Sequence, residues 1–325
     1  MLDGLVDAIR NYPGVTRKNP IREIMGCLPL DGFPQVAASE GEDAAAVEYG
    51  DGYLLVAADG IMGSLMEADP FYAGYFAVLV NVSDIAAMGG TPVAMVDVIS
   101  IKNRKVCSQI LEGLEAGVKK FNVPIVGGHT NPDSKFNSLE ISIMGSVSKE
   151  GLIRSTTAQD GDDIVFVMDL DGFFPEKLPY AWDTTTRKDG KTVRGQIALL
   201  HEVGIRKLVS SGKDMSNPGC IGTLGMMLES SSAGGTVDIT KIPRPEGIDF
   251  VQWCLAYQGF GFVFACPPEN TEELIKLFSE KGVAGAAVGK VDSTSVMKLT
   301  DGKETRVLYD FSEDIITGCR PKKKR

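Results

Sequence analysis

Residues 57–90 read AADGIMGSLMEADPFYAGYFAVLVNVSDIAAMGG. The apolar run from Tyr53 to Ala58 reads as a strand and ends on Asp59. A tight Asp69-Pro70 step then opens a long apolar helix. That helix carries Asn81 and Asp84 within an otherwise apolar face, Ala77 to Met88. Burying even a neutral polar group without a partner costs about 2–7 kcal/mol, so Asp84 needs compensation. Further acidic groups beside it would add repulsion unless a cation sat between them. Two readings stand: a carboxylate holding a cation, or a carboxylate hydrogen-bonded to a nearby backbone amide.

The chain has 325 residues, more than one compact core accommodates, so two domains are expected. Charged residues at 23% and hydrophobic residues at 43% are ordinary for a globular protein. The net charge of −10 argues against a nucleic-acid partner, which needs clustered Lys and Arg. The basic run Lys322–Arg325 reads as a solvated terminus. No segment is long and apolar enough to span a bilayer, and the first residues lack a secretory pattern. The six cysteines are scattered, without CxxC pairs, as expected of free thiols in a reducing cytoplasm. Only His129 and His201 are available for imidazole chemistry.

Residues 1–40, punctuated by Gly and Pro, read as an irregular arm laid over a core. Helices are expected over 70–89 and 104–120, with strands at 53–58, 92–101, 123–127 and 139–148. The texture turns polar around 149–162, which places a domain boundary there and divides the chain into 1–40, 41–150 and 151–325. In the second half, strands are expected at 163–169, 236–240, 260–266, 284–291 and 296–300. Helices are expected at about 194–211, 218–231, 246–256 and 270–281. Interleaved helices and hairpin-like strand pairs argue for α+β or mixed sheets. The segment 171–193 is long for a loop and so reads as functional or disordered. Its Trp182, Thr184 to Thr186 and Arg187 offer an aromatic plate, hydroxyls and a guanidinium for an acceptor substrate, with Thr185 and Arg187 the candidates. A β-branched run packed on the second domain is the structural alternative. The strands at 92–101 and 139–148 are apolar on both faces, which points to a homodimer through the first domain.

Four acidic positions sit at the edges of apolar elements: Glu42-Asp43, Asp59, Asp84 and Asp214. Oxygen ligands of this kind suit Mg²⁺, which binds through carboxylates and substrate phosphates. A lone Asp is also a common helix cap, and Asp214 could serve the helix near Pro218 in that way. Gly127-Gly128-His129-Thr130 after a short apolar strand, and Gly219 with Gly222 in a first helical turn, have the form of phosphate-binding turns. Neither matches a Walker or dinucleotide fingerprint. His129 is either a general base or a hydrogen-bonded turn residue.

In this order, these pieces resemble the ATP-binding superfamily of aminoimidazole ribonucleotide (AIR) synthase. Relatives there include selenophosphate synthetase, thiamine-monophosphate kinase, the hydrogenase-maturation dehydratase and formylglycinamidine ribonucleotide synthase. The matching pieces are Glu42-Asp43-Ala44-Ala45-Ala46-Val47, Ala58-Asp59-Gly60, Asn81 to Gly90 with Pro92, Gly127 to Thr130, Ile153-Arg154-Ser155, Ala158 to Asp162, and Lys213 to Ser216 leading into Gly219. The resemblance implies an α+β (α/β) two-domain fold whose first-domain strands pair across a dimer, with ATP in the cleft between domains. It implies Mg²⁺ at Asp43, Asp59, Asp84 and Asp214, with Asp84, Asp214 and His129 serving catalysis. Asp59, Asn81, Gly127, Gly128 and Thr130 would address the nucleotide.

The loop after Gly26-Cys27, with Leu28-Pro29-Leu30, departs from the selenophosphate synthetases, which carry a Lys there. Cys319 is followed by Arg320 to Arg325 and so departs from the dehydratase terminus. Residues 181–190 look like the AIR synthase-related proteins called methanogenesis marker protein 2. The expectation is an ATP- and Mg²⁺-dependent enzyme that activates an oxygen of a small substrate by phosphoryl transfer. The alternatives are a selenophosphate synthetase-like or thiamine-monophosphate kinase-like activity, or a silent nucleotide-binding assembly protein.

Overall fold

A computed structural model describes residues 2–28 and 32–320; the Pro29-Leu30 step and the run Lys322–Arg325 lie outside the described residues. The chain opens with α1 (Leu2–Arg10), α2 (Pro13–Thr16) and α3 (Ile21–Cys27). This corrects the expectation of an irregular arm. Leu2, Leu5 and Ile9 recur on one helical face and are buried in the core of the second half. Arg10 fastens α1 there through Asp314, with guanidinium–carboxylate bonds of 2.6 and 3.0 Å.

The first sheet contains β1 (Val36–Ala38), β2 (Ala45–Tyr49), β3 (Gly52–Gly60), β4 (Thr91–Ser100), β5 (Ile125–Asn131) and β6 (Ser138–Ser148). Their spatial order is β1-β2-β3-β6-β4-β5. Only β4 and β5 pair in parallel, which requires a crossover. The short α4 (Gly63–Ala68) leads into α5 (Pro70–Ala87), and α6 (Arg104–Phe121) supplies the crossover. Asp69 caps α5 by accepting the Tyr72 N–H, and Asn103 caps α6 by accepting from Lys105 and Val106. A Cβ on Gly74 would stand 2.1 Å from the Ile110 carbonyl oxygen, so glycine there lets α5 and α6 approach. The two helices cover one face of the sheet. The other face is open, with Val56, Val96, Val98, Val126 and Met144 exposed along it.

The second sheet contains β7 (Asp163–Met168), β9 (Ser211–Asp214), β10 (Gly234–Asp238), β12 (Gly261–Cys266), β13 (Ala284–Asp292), β14 (Val296–Thr300) and β15 (Thr305–Asp310). The order is β15-β14-β10-β13-β7-β12-β9. A separate two-stranded ribbon joins β8 (Ala181–Trp182) to β11 (Tyr257–Gln258). Ile164, Phe166 and Met168 enter one core, with α1, α8 (Gly219–Ser231) and α9 (Phe250–Leu255). Val165 and Val167 enter another, with α7 (Gly190–Ile205) and α10 (Thr271–Ser279). Burial on both faces explains why β7 and β12 read as continuous apolar runs.

Three further expectations are corrected. The helix expected over 194–211 ends at Ile205, and β9 follows; its sequence, SGKD, lacks any apolar alternation that would mark a strand. The strand expected at 123–127 runs from Ile125 to Asn131 and takes Gly127 to Thr130 into the sheet. The helix expected at 246–256 is confined to Phe250–Leu255, where Asp249 caps it. Among the described residues, no helix is long and apolar enough to cross a membrane.

Candidate functional site

A cavity of about 560 Å³ opens between the two halves, roofed by the N-terminal helices. Four elements bring carboxylates to it. Asp59 stands near the end of β3, Asp84 on the last turns of α5, Asp43 in the loop before β2, and Asp214 at the end of β9. One oxygen of each of Asp43, Asp84 and Asp214 lies within 4.8 Å of the others. The β9–β12 register, with Asp214 opposite Phe262, fixes Asp214 from the sheet side.

Burial raises the pKa of Asp84 well above the ordinary aspartate value, and the charges of Asp59, Asp214 and Asp43 push it further. Asp214 is raised well above it too, by burial and then by Asp43. These carboxylates repel one another in a partly dry site, which is the electrostatic condition for holding a cation. Lys213 sits among them and forms an ion pair with Asp43. Burial opposes its charge, but Asp43 and Asp214 outweigh burial and hold the ammonium above its ordinary pKa. Lys18, half-buried in the cavity wall, has its pKa lowered by burial and by the charge of Lys213.

Glu42 and Asp43 divide their tasks. Both line the cavity, but Asp43 joins the cluster with Asp84 and Asp214, whereas the Glu42 side chain is fully buried and spent on hydrogen bonds. Glu42 accepts the Ser155 N–H at 2.6 Å, the Ser155 hydroxyl at 2.9 Å and the Thr156 hydroxyl at 2.7 Å, and pairs with Arg154 at 3.1 Å. It ties the loop before β2 to the segment joining the halves. The cavity is also lined by apolar and aromatic side chains, Phe76, Leu79, Val80, Trp182, Met226 and Tyr257. A cavity lined by both carboxylates and apolar aromatic side chains suits a ligand with a charged and an apolar part.

Several expected residues stand elsewhere. Asn81 is buried off the cavity; its amide donates to the Ala77 carbonyl at 2.8 Å and its Oδ1 has no partner. Gly127, Gly128, His129 and Thr130 form part of β5, at the edge of the first sheet and outside the cavity of their own chain. A Cβ on Gly128 would stand 2.2 Å from the Asp97 carbonyl oxygen, so this glycine serves the approach of β4 rather than a phosphate turn. His129 pairs with Asn131 at 3.1 Å. Gly219, at φ +73°, packs against the Cys254 carbonyl, where a Cβ would come to 2.1 Å. Asp214 is no helix cap: Pro218 occupies that position on α8 and makes no side-chain cap.

The 171–193 segment is ordered and largely built inward. Thr185 is buried and spends its hydroxyl on Tyr75, at 2.9 Å, and Asp183, at 3.2 Å. Arg187 is exposed and lies 3.4 Å from the centroid of the Phe173 ring. Neither is among the residues that line the cavity. Arg187→Ala should leave nucleotide affinity unchanged in calorimetry. In urea unfolding it should cost about 0.5–1 kcal/mol, as for an exposed cation–π pair. A clear loss of nucleotide affinity would return this loop to the site.

The cavity also takes in residues that sequence reasoning left without a role: Arg17 and Lys18 from the arm, Lys213, and Cys319. No periodicity marks Arg17 and Lys18, and a run of turn residues conceals Lys213. Cys319 reaches the wall because Glu229, buried in α8, gathers the N–H groups of Ile316, Thr317 and Gly318. Burial pushes the Cys319 thiol above its ordinary pKa, which disfavours the nucleophilic thiolate.

Fold and site together define a two-domain protein with an acidic, nucleotide-sized cleft. The chain belongs to the AIR synthase-related family. The family model described as "AIR synthase related protein, N-terminal domain" matches residues 41–147, and the one described as "AIR synthase related protein, C-terminal domain" matches 171–302. An uncharacterized protein of Methanocaldococcus jannaschii, MJ0640, is 44% identical over 98% of this chain and 99% of its own length. The phosphoribosylformylglycinamidine synthase subunit PurL of Saccharolobus islandicus is 26% identical over 79% of this chain and 38% of its own. The structure of Thermotoga maritima PurL complexed with ATP superposes with a TM-score of 0.73 at 17% identity. That match covers 91% of this chain and 50% of the PurL chain, so the present chain spans about half the length of that protein.

Proposed function

We propose that this protein is an ATP- and Mg²⁺-dependent enzyme that phosphorylates an oxygen of a small acceptor. The observation that carries the reading is the convergence of Asp43, Asp84 and Asp214, with Asp59 lining the same cavity, beside apolar and aromatic side chains. Carboxylate oxygens are the donors Mg²⁺ prefers, and no described N–H or O–H donates to the carboxylates of Asp59, Asp84 or Asp214. These residues fit the ion and would hold it. When bound, Mg²⁺ neutralises phosphate charge and polarises the transferred group.

The chain's own side chains supply the rest. Trp182, Tyr257 and Phe76 offer surfaces for the base, while Arg17 and Lys18 bring positive charge to the cleft. Asn81, His129, Gly127, Gly128 and Thr130 have no part in this reading. Calorimetric titration with ATP should show binding that depends on Mg²⁺, and slow ATP turnover should rise with the right acceptor. Binding of ATP equally well with and without Mg²⁺ would overturn the metal role.

The proposal includes a homodimer through the open face of the first sheet. Val56, Val96, Val98, Val126 and Met144 lie exposed on four neighbouring strands, and exposed apolar patches of this kind mark interfaces. Light scattering should give twice the 34.8 kDa chain mass. Val96→Glu should shift the protein toward monomer, while a stable wild-type monomer at micromolar concentration would refute the interface.

A further inference from the structure

We propose that Lys213 is a built-in cation of the acidic site: of the three clustered carboxylates, its ammonium occupies that of Asp43 and leaves Asp84 and Asp214, with Asp59 in the same cavity wall, for a divalent ion. The inference rests on the reading of the cavity as a metal–nucleotide site and adds how that site divides its charge. The Lys213 side chain is 9% exposed and that of Asp43 4%, so the pair is nearly dry. Lys213 Nζ bonds Asp43 Oδ1, and the Gly41 carbonyl oxygen lies 3.5 Å from the same nitrogen. The other Asp43 oxygen accepts the Asp214 N–H at 3.2 Å. Both Asp43 oxygens therefore have donors, whereas the other three carboxylates accept none among the described residues.

A second divalent ion at Asp43 would have to settle against a fixed, buried ammonium, where like charges interact strongly. Lys213 and one divalent ion together offset three of the four carboxylate charges. Arg17 and Lys18, in the same cavity lining, meet the additional negative charge of a polyphosphate. Among the described residues, no ion pair takes up either of these two arm cations.

The test is equilibrium binding of Mn²⁺ alone, without nucleotide, to the full chain. Wild type should bind one Mn²⁺ per chain. Lys213→Met should bind a second, because Asp43 becomes a free carboxylate. The charge-balanced double variant, Asp43→Asn with Lys213→Met, should return to one ion, with a dissociation constant within about threefold of wild type. This double variant decides the matter even if Lys213→Met alone does not fold without metal. Unchanged stoichiometry in Lys213→Met, or loss of the remaining ion in the double variant, would overturn the assignment. A wild-type protein that binds no Mn²⁺ would instead remove the metal reading on which it rests.

Discussion

Asp84→Asn should abolish Mg²⁺-dependent ATP binding, weakening it by roughly a hundredfold or more, while the protein without metal becomes no less stable. The basis is the position of Asp84, whose carboxylate lies close to those of Asp43 and Asp214. It gives up one ligand in the loaded site, yet removes one of the mutually repelling charges in the empty one. The pH dependence follows from the raised pKa. A carboxyl whose folded pKa lies above its unfolded value of 3.8 holds its proton more tightly when folded. Its ionisation therefore costs stability as pH rises from the unfolded value through the folded one, and the full cost remains above that. In EDTA, wild type should lose stability as pH rises above the unfolded value of 3.8, and Asp84→Asn should lose less over the same rise. Thermal melts across pH, paired with calorimetry, measure both halves. A mutant with wild-type nucleotide affinity would place the site elsewhere.

The largest expected effect on stability is at Glu42. Glu42→Ala removes the acceptor for the Ser155 N–H, two hydroxyls and the Arg154 guanidinium in a place where the carboxylate has no exposure. Breaking a buried pair in this way typically costs about 3–5 kcal/mol, because the remaining partners are left without compensation. Glu42→Gln keeps the acceptor oxygen and should recover part of that loss. Urea unfolding of the three proteins gives the comparison. A loss under about 1 kcal/mol for Glu42→Ala would mean that water replaces the carboxylate, since surface substitutions fall in that range.

Much of the site was legible because its chemistry conflicts with its surroundings. Asp84 in an apolar helix and Asp59 at the end of an apolar strand each stood out against the residues beside them, and both reached the cavity. Asp43 and Glu42 were equally visible but indistinguishable, since they are adjacent and equally charged. Only the packing of residues 154–156 against this loop separates the carboxylate spent on structural hydrogen bonds from the one that meets Asp84 and Asp214. Gly127 to Thr130 resembled a phosphate turn by composition. A glycine also permits close strand approach, and the Asp97 backbone of β4 determines that Gly128 does so here. Thr185 and Arg187 looked available because local sequence does not reveal that Tyr75 and Phe173 already engage them.

The sequence by itself determined the long buried helix, the apolar strands, the acidic positions and the family, since these depend on local pattern and on motifs within short stretches. The tertiary structure alone decided which charges meet. Lys18, Lys213 and Cys319 lie far apart in the chain yet share one cavity, brought there by an arm packed on the second half, by β9 beside β12, and by Glu229 holding the C-terminal segment. Electrostatic interaction depends on distance through space and on exclusion of water, neither of which is written in the order of residues.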